Sequence, residues 1–213
     1  TPHGHANSWP GDASPPHGPG DVQLLIGLLL AFTIAAFLGL GGTWLASVHG
    51  FVFGGVTIGA WTAWPKTGTT AIDPYARAVI ARSGELPLVS GDGIAFRAGA
   101  DDSGRPLDGR CDVTISGTTP QARFWTLTLY DKKGNLVPNV IGRYGFTSLE
   151  VVRKSDGSFT ITAAPRARPG NWLPTGGIEQ YVMILRLYDT AVGVATGALG
   201  ETPMPAIQRG ACP

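Results

Sequence analysis

The residues best equipped for chemistry are few and unevenly placed. All four histidines, His3, His5, His17 and His49, fall in the first 50 positions, so the rest of the chain lacks the commonest general base and metal ligand. His3 and His5 suggest an amino-terminal copper or nickel site. That geometry needs the backbone N–H of residue 2 as a ligand, and Pro2 has none. They read as surface histidines of a solvated tail, and no metal is expected. Lys66-Thr67-Gly68 lacks the preceding glycines of a phosphate loop, Gly39-Leu40-Gly41 lies in an uncharged apolar run, and there is no Gly-x-Ser-x-Gly nucleophile elbow. These patterns assign no catalytic residue and no cofactor.

Two further sets of residues carry reactive or binding potential. Cys111 and Cys212 have no companion soft ligands or nearby histidine pair with which to build a zinc site. In an oxidising compartment they read as a disulfide, and two unrelated buried thiols are the alternative. Closing a loop of about 100 residues would stabilise the fold by up to about 4.7 kcal/mol in the chain-entropy model. The second set is polar and aromatic: Asp112, Arg123, Tyr130, Arg143, Tyr144, Asn171, Trp172, Arg186 and Tyr188. If they converge, Arg143, Tyr144, Asn171 and Trp172 form a ligand-binding region for a sugar or small anion. If they do not, such side chains bind loop carbonyls and brace the corners of a β-sandwich.

The elements that must position these residues follow from hydrophobic patterning. Residues 22–48 form an apolar run without a single charge, longer than the roughly 20 residues that cross a bilayer. A cleavable signal would show a basic start and an apolar core of only about 7–15 residues, so the run reads as a transmembrane anchor in contact with lipid. Ala31, Ala35, Gly39 and Thr43 recur every four residues, a stripe that lets a partner helix approach closely. Trp44, Phe51, Phe53, Trp61 and Trp64 suit an interfacial aromatic belt, although Trp61 and Trp64 equally suit the core of the following domain. Orientation signals conflict. Lys66, the first basic residue, lies after the span and favours a cytoplasmic C-terminal domain, whereas the cysteine pair favours the periplasm. The cysteines are taken to decide.

Residues 1–21 are a Pro/Gly/His-rich tail that cannot bury enough surface to fold alone, so a neighbouring subunit is expected to order it. A chain opening on Thr1 instead of Met is expected of a trimmed or processed N-terminus. Residues 49–72 read as a linker and 73–213 as the globular domain. Within that domain Asp73 caps a helix over Pro74–Arg82, with Gly84 beyond its end and Tyr75 and Val79 on its packing face. Strands are expected at Ile94–Arg97, Asp112–Ser116, Phe124–Tyr130, Phe159–Ala163 and a central Tyr181–Tyr188. Glu150–Lys154 is expected to pair with Phe159–Ala163 across a Ser155-Asp156-Gly157 turn. The fold class is therefore all-β, an antiparallel β-sandwich with one short helix, preceded by a single N-terminal transmembrane helix. A net charge of +1 gives no basic excess for nucleic acid.

Three segments also carry a resemblance. LDGRCDVTISG (107–117), FWTLTLYDKKGNLVPNVIGRYGFTS (124–148) and RPGNWLPTGGIEQYVMILRLYD (168–189) resemble the domain of unknown function 1214 family, from about Gly59 to the C-terminus. The resemblance implies a β-sandwich, and a cysteine after the Asp-Gly-Arg motif with another near the C-terminus, matching Cys111 and Cys212. It also implies a bacterial membrane protein of the short, single-helix type, and it transfers no catalytic residue. The expected function is a non-catalytic accessory subunit of a bacterial inner-membrane complex, respiratory or photosynthetic, with a periplasmic β-sandwich. Integral-membrane partners are expected to meet its helix and tail. The competing expectation is an envelope enzyme or binding protein acting on a sugar or small anion.

Overall fold

The computed structural model describes residues 19–49, 54–83, 87–89, 91–191, 202–210 and 212. The tail 1–18, Phe51 and Phe53, and Gly84 lie outside them. The chain divides into two units, Thr1–His49 and Gly50–Pro213.

In the first unit the uncharged run forms α1, Pro19–His49. Its stretch Gly20–Ala46 is long and apolar enough to cross a membrane. Leucines, phenylalanines and isoleucines point outward all around it, as Leu29, Phe32, Phe37 and Leu40 show by their exposure. A helix that is apolar on every face needs an apolar environment on every face.

Among its described residues the second unit holds two sheets and one helix. After β1 (Val56–Ile58) and β2 (Trp61–Ala63) comes α2 (Pro74–Ser83), followed by β3 (Gly93–Ala98), β4 (Val113–Gly117), β5 (Phe124–Asp131) and β6 (Gly145–Thr147). Then come β7 (Phe159–Ala164), β8 (Asn171–Pro174), β9 (Tyr181–Tyr188) and β10 (Ala206–Arg209). The first sheet has the order β1-β2-β3-β9-β5-β6 and the second β10-β4-β7-β8. The run Tyr181–Tyr188 is central, pairing antiparallel with β3 on one side and with β5 along its full length on the other. Alternation decides which face is buried. Trp125, Leu127 and Leu129 of β5 and Met183, Leu185 and Leu187 of β9 share one core with Val113, Ile115, Phe159 and Ile161 of the second sheet.

Several expectations are corrected. The segment 49–72 is not merely a linker, because β1 and β2 extend the first sheet. Trp61 is fully buried there and donates its indole N–H to Pro205 O at 2.7 Å, so it belongs to the core and not to an aromatic belt. The sandwich is antiparallel except at one place, where β8 runs parallel to β7. Glu150–Lys154 is not a strand. The turn after it forms, with Lys154 N–H donating to Ser158 O and Gly157 at φ 82°, but pairing stops at a single Arg153–Phe159 bridge. The side chain of Asn171 takes the strand partner's place. Its Oδ1 accepts the Val152 N–H at 2.8 Å and its Nδ2 donates to Val152 O at 2.9 Å. In α2 the Asp73 cap is present, its Oδ1 accepting the N–H groups of Tyr75 and Ala76. The buried face is Ala76, flanked by the half-buried Val79 and Ile80, while Tyr75 is exposed.

Burial of Trp61 yields the first prediction. Trp61→Ala should lower unfolding stability by about 3–5 kcal/mol, measured by urea denaturation in mild detergent. An unchanged midpoint would mean that residues 54–63 are no part of the domain's core.

Candidate functional site

Arg143 and Tyr144 lead into β6, while Asn171 and Trp172 open β8, and these are edge strands of opposite sheets. The corner between them is built from amides. Asn139 accepts the Arg143 N–H on Oδ1 at 3.0 Å and donates from Nδ2 to Arg143 O at 2.8 Å, closing a tight loop. Arg143 lies with its guanidinium 5.0 Å above the Phe146 ring and donates from Nη1 to Trp172 O at 3.3 Å, joining the two sheet edges. Gly145 lets β6 pair closely with β5, because a Cβ there would stand 2.2 Å from Leu127 O. Asn171 is buried and spends its third hydrogen bond on Thr160 O, and Trp172 donates its indole N–H to Ala164 O at 3.1 Å. Arg143, Asn171 and Trp172 are thus brought together, with polar groups turned to backbone. Tyr144 beside them is 38% exposed.

The other members of the polar set are dispersed. Asp112 is held in a two-pronged pair by Arg168, Nε to Oδ2 at 2.8 Å and Nη2 to Oδ1 at 3.0 Å. Arg186 reaches along the sheet to the Tyr130 hydroxyl at 3.2 Å, Arg123 stands 3.8 Å from Asp189, and Tyr188 packs its ring 5.8 Å from that of Phe124. The conspicuous turn motifs have the same character. In Tyr130-Asp131…Asn135, Asp131 accepts the N–H groups of Lys133 and Asn135. In Asp108-Gly109-Arg110, a Cβ at residue 109 would meet Ile178 O at 2.5 Å, so the motif requires glycine.

Cys111 and Cys212 are joined in a disulfide. Around it lies a charged cluster that motif reading missed, because its members are distant in sequence. Arg209 donates to both sulfurs, Nε to Cys212 Sγ at 3.1 Å and Nη2 to Cys111 Sγ at 3.0 Å. Asp108 is gripped by Arg110, Nε at 3.0 Å and Nη2 at 2.8 Å, and lies 3.8 Å from Arg209. The Arg110 hydrogen bonds hold the Asp108 carboxyl down to about 2, against the opposing effect of desolvation. The Tyr181 hydroxyl, within electrostatic reach of Asp108, is buried and has no hydrogen-bond partner among the described residues, and burial raises its pKa. Among the described residues no group of three or more His, Cys, Asp or Glu could hold a metal ion.

A neighbouring turn holds a second low-lying carboxyl. Burial of Asp101 would raise its pKa, but hydrogen bonds from Ser103 and Arg105 outweigh that and bring it to about 2. Ser103 contributes its N–H and hydroxyl, and Arg105 its N–H and guanidinium. In α1 the stripe residues Ala31, Ala35, Gly39 and Thr43 are all exposed, and among the described residues no atom outside the helix lies within 4 Å of where a Cβ would sit on Gly39.

A two-sheet sandwich braced by its own turn motifs, in a chain with one N-terminal helix apolar enough to cross a membrane, defines the class of this protein. Residues 92–192 match the family described as "Protein of unknown function (DUF1214)". The match covers less of the chain than the segment from Gly59 that the resemblance suggested. Among solved structures, the VPA0106 protein from Vibrio parahaemolyticus is similar with a TM-score of 0.56 at 18% identity, over 93% of this chain and 47% of that one. An uncharacterized protein from Burkholderia cenocepacia gives a TM-score of 0.38 at 13% identity, over 93% of this chain and 44% of that one. The first likeness supports the fold alone, and the chain spans less than half the length of either structure. No curated protein matches the chain.

Two predictions follow from the corner and the carboxyls. Asn171→Ala should cost about 2 kcal/mol in urea unfolding, since it strands backbone groups of Val152 and Thr160; a residue serving only a ligand would leave the midpoint unmoved. Asp101 and Asp108 have folded pKa values near 2, below the 3.8 of a free aspartate. Their stabilising effect is complete above about pH 4 and is lost as pH falls towards 2. Thermal melts between those limits should show a steep decline, shallower in Asp101→Asn. An equal slope in both proteins would assign the acid sensitivity elsewhere.

Proposed function

We propose that this chain is a non-catalytic accessory subunit of a bacterial inner-membrane complex, anchored by α1, with its β-sandwich in the periplasm. The observation that carries the reading is α1 itself: apolar on all sides, with the small residues Ala31, Ala35 and Gly39 exposed along one stripe. Leucine-rich faces gain nothing by leaving lipid for another helix, whereas small residues let backbones approach. The disulfide supports the periplasmic side, where thiols oxidise and stay oxidised. The corner of Arg143, Asn171 and Trp172 supports a scaffold role, because its hydrogen bonds are spent on backbone. The rival reading, an envelope protein for a sugar or small anion, rests on Tyr144 and Arg143, both exposed at that corner.

Purification in mild detergent tests the proposal. Wild-type chain should recover a stoichiometric set of membrane proteins, and Gly39→Leu should lose them while the β-sandwich stays folded. Leu29→Ala and Leu30→Ala should change little. Equal recovery with Gly39→Leu would reduce α1 to an anchor and turn attention to the corner.

A further inference from the structure

The C-terminal end of β10 gathers features that a purely structural crosslink does not need. Cys111 is buried at 1% exposure while Cys212 is exposed, so of the two half-cystines Cys212 is the one open to solvent. Arg209 faces both sulfurs. A disulfide sulfur is a weak acceptor and a thiolate a strong one, so this guanidinium stabilises the opened form more than the closed one.

The surrounding charges leave Arg209 available for that role. Asp108 competes for it at 3.8 Å, yet is engaged at shorter range by Arg110, which also lies 3.9 Å from Glu179. Asp112, next to Cys111 in the chain, is neutralised by Arg168 at 2.7 Å. The Tyr181 hydroxyl is kept uncharged by burial.

Nor does β10 depend on the bond to stay in place. It pairs with β4 over Ala206–Arg209, and Ile207 is fully buried. The Ile207 N–H donates to Asp102 Oδ2 at 2.8 Å, the Trp61 indole to Pro205 O at 2.7 Å, and the Gly210 N–H to Asp112 O at 2.7 Å. Opened sulfurs would remain neighbours, able to close again.

We propose that Cys111–Cys212 is a thiol–disulfide exchange site, in which Cys212 is the sulfur attacked and Cys111 the leaving thiolate held by Arg209. The co-reactant is a low-molecular-weight thiol or the dithiol of a partner protein. Its thiolate attacks Cys212 Sγ, the S–S bond breaks, and the electron pair departs on Cys111 Sγ. A second thiolate then attacks the co-reactant's sulfur in the mixed disulfide, releasing an external disulfide and the Cys212 thiolate. Overall the protein takes up two electrons and two protons, and two thiols are oxidised to one disulfide. A leaving thiol of lower pKa departs faster, which is the advantage Arg209 confers.

Reduced glutathione is the probe, added to the full oxidised chain in detergent, with acid quenching and peptide mass mapping. The expected adduct is on Cys212, with Cys111 free. Exchange should slow by roughly threefold or more in Arg209→Gln, and Arg209→Lys should recover part of the rate. In the reduced protein the ultraviolet thiolate absorbance should titrate about one pH unit higher in Arg209→Gln than in wild type. Reduced wild type should keep its far-ultraviolet β signal and reoxidise. An adduct on Cys111, identical thiolate titrations in wild type and variant, or unfolding on reduction would each overturn the proposal. Adduct position and refolding are read on wild type, so a variant that fails to fold does not shield it.

Discussion

Everything in the β domain depends on the contact between the inner faces of its two sheets. Trp125 of β5 meets Phe159 of β7 across that plane with ring centroids 5.2 Å apart. Met183, Leu185 and Leu187 of the central strand fill it from one side, and Ile115 and Ile161 from the other. Each such side chain contributes about 1.5–3 kcal/mol when fully buried, against a chain entropy of comparable total size. The margin is small, so the sheets must be held in register where the core thins out. That is the work of the polar residues at the corners. Arg143 joins edge strands of opposite sheets, while Asn139 fixes the loop that carries it and Asn171 ties the 150–153 segment to β8, all without adding apolar area.

This arrangement explains why motifs that look functional in sequence serve architecture in space. An Arg, Asn and Trp close together suggest sugar or anion recognition only while their hydrogen bonds remain uncommitted. Here a backbone carbonyl or N–H accepts or supplies most of them. The same principle separates Arg143 from Arg209. The first bonds to a main-chain oxygen, whose chemistry is fixed, and the second to two sulfurs, whose chemistry is not.

Legibility in the sequence followed the length of the hydrophobic pattern. The central strand was readable to its ends because eight residues, nearly all apolar, leave no other element that fits. α1 was readable for the same reason, and α2 because Asp73 and Pro74 mark its start unambiguously. The three-residue strands β1, β2 and β6 were not, since three residues carry too little alternation to count. The region 150–154 had both a strand-like composition and a turn after it. What overruled them was one amide nineteen positions away occupying Val152's backbone, which no local pattern announces. The candidate corner was partly legible, since Arg143 and Trp172 do meet. Arg209 was not, because nothing in its neighbours foretells that β10 will set it against Cys111, 98 positions earlier.

The edges of the sheets bear on how other chains can engage this domain. An exposed sheet border is a template on which a foreign strand can grow, the route shared by amyloid and by many peptide-binding modules. Here the first sheet ends in three-residue strands on both sides, too short to offer a long row of free main-chain groups. On the second sheet, the Asn171 side chain ties the 150–153 segment beside the bordering strand β8. These three borders are therefore blunted against strand addition, and the four-residue β10 is the remaining edge of the second sheet. At the blunted borders, recognition by another protein runs through side chains and loop shape instead of main-chain pairing.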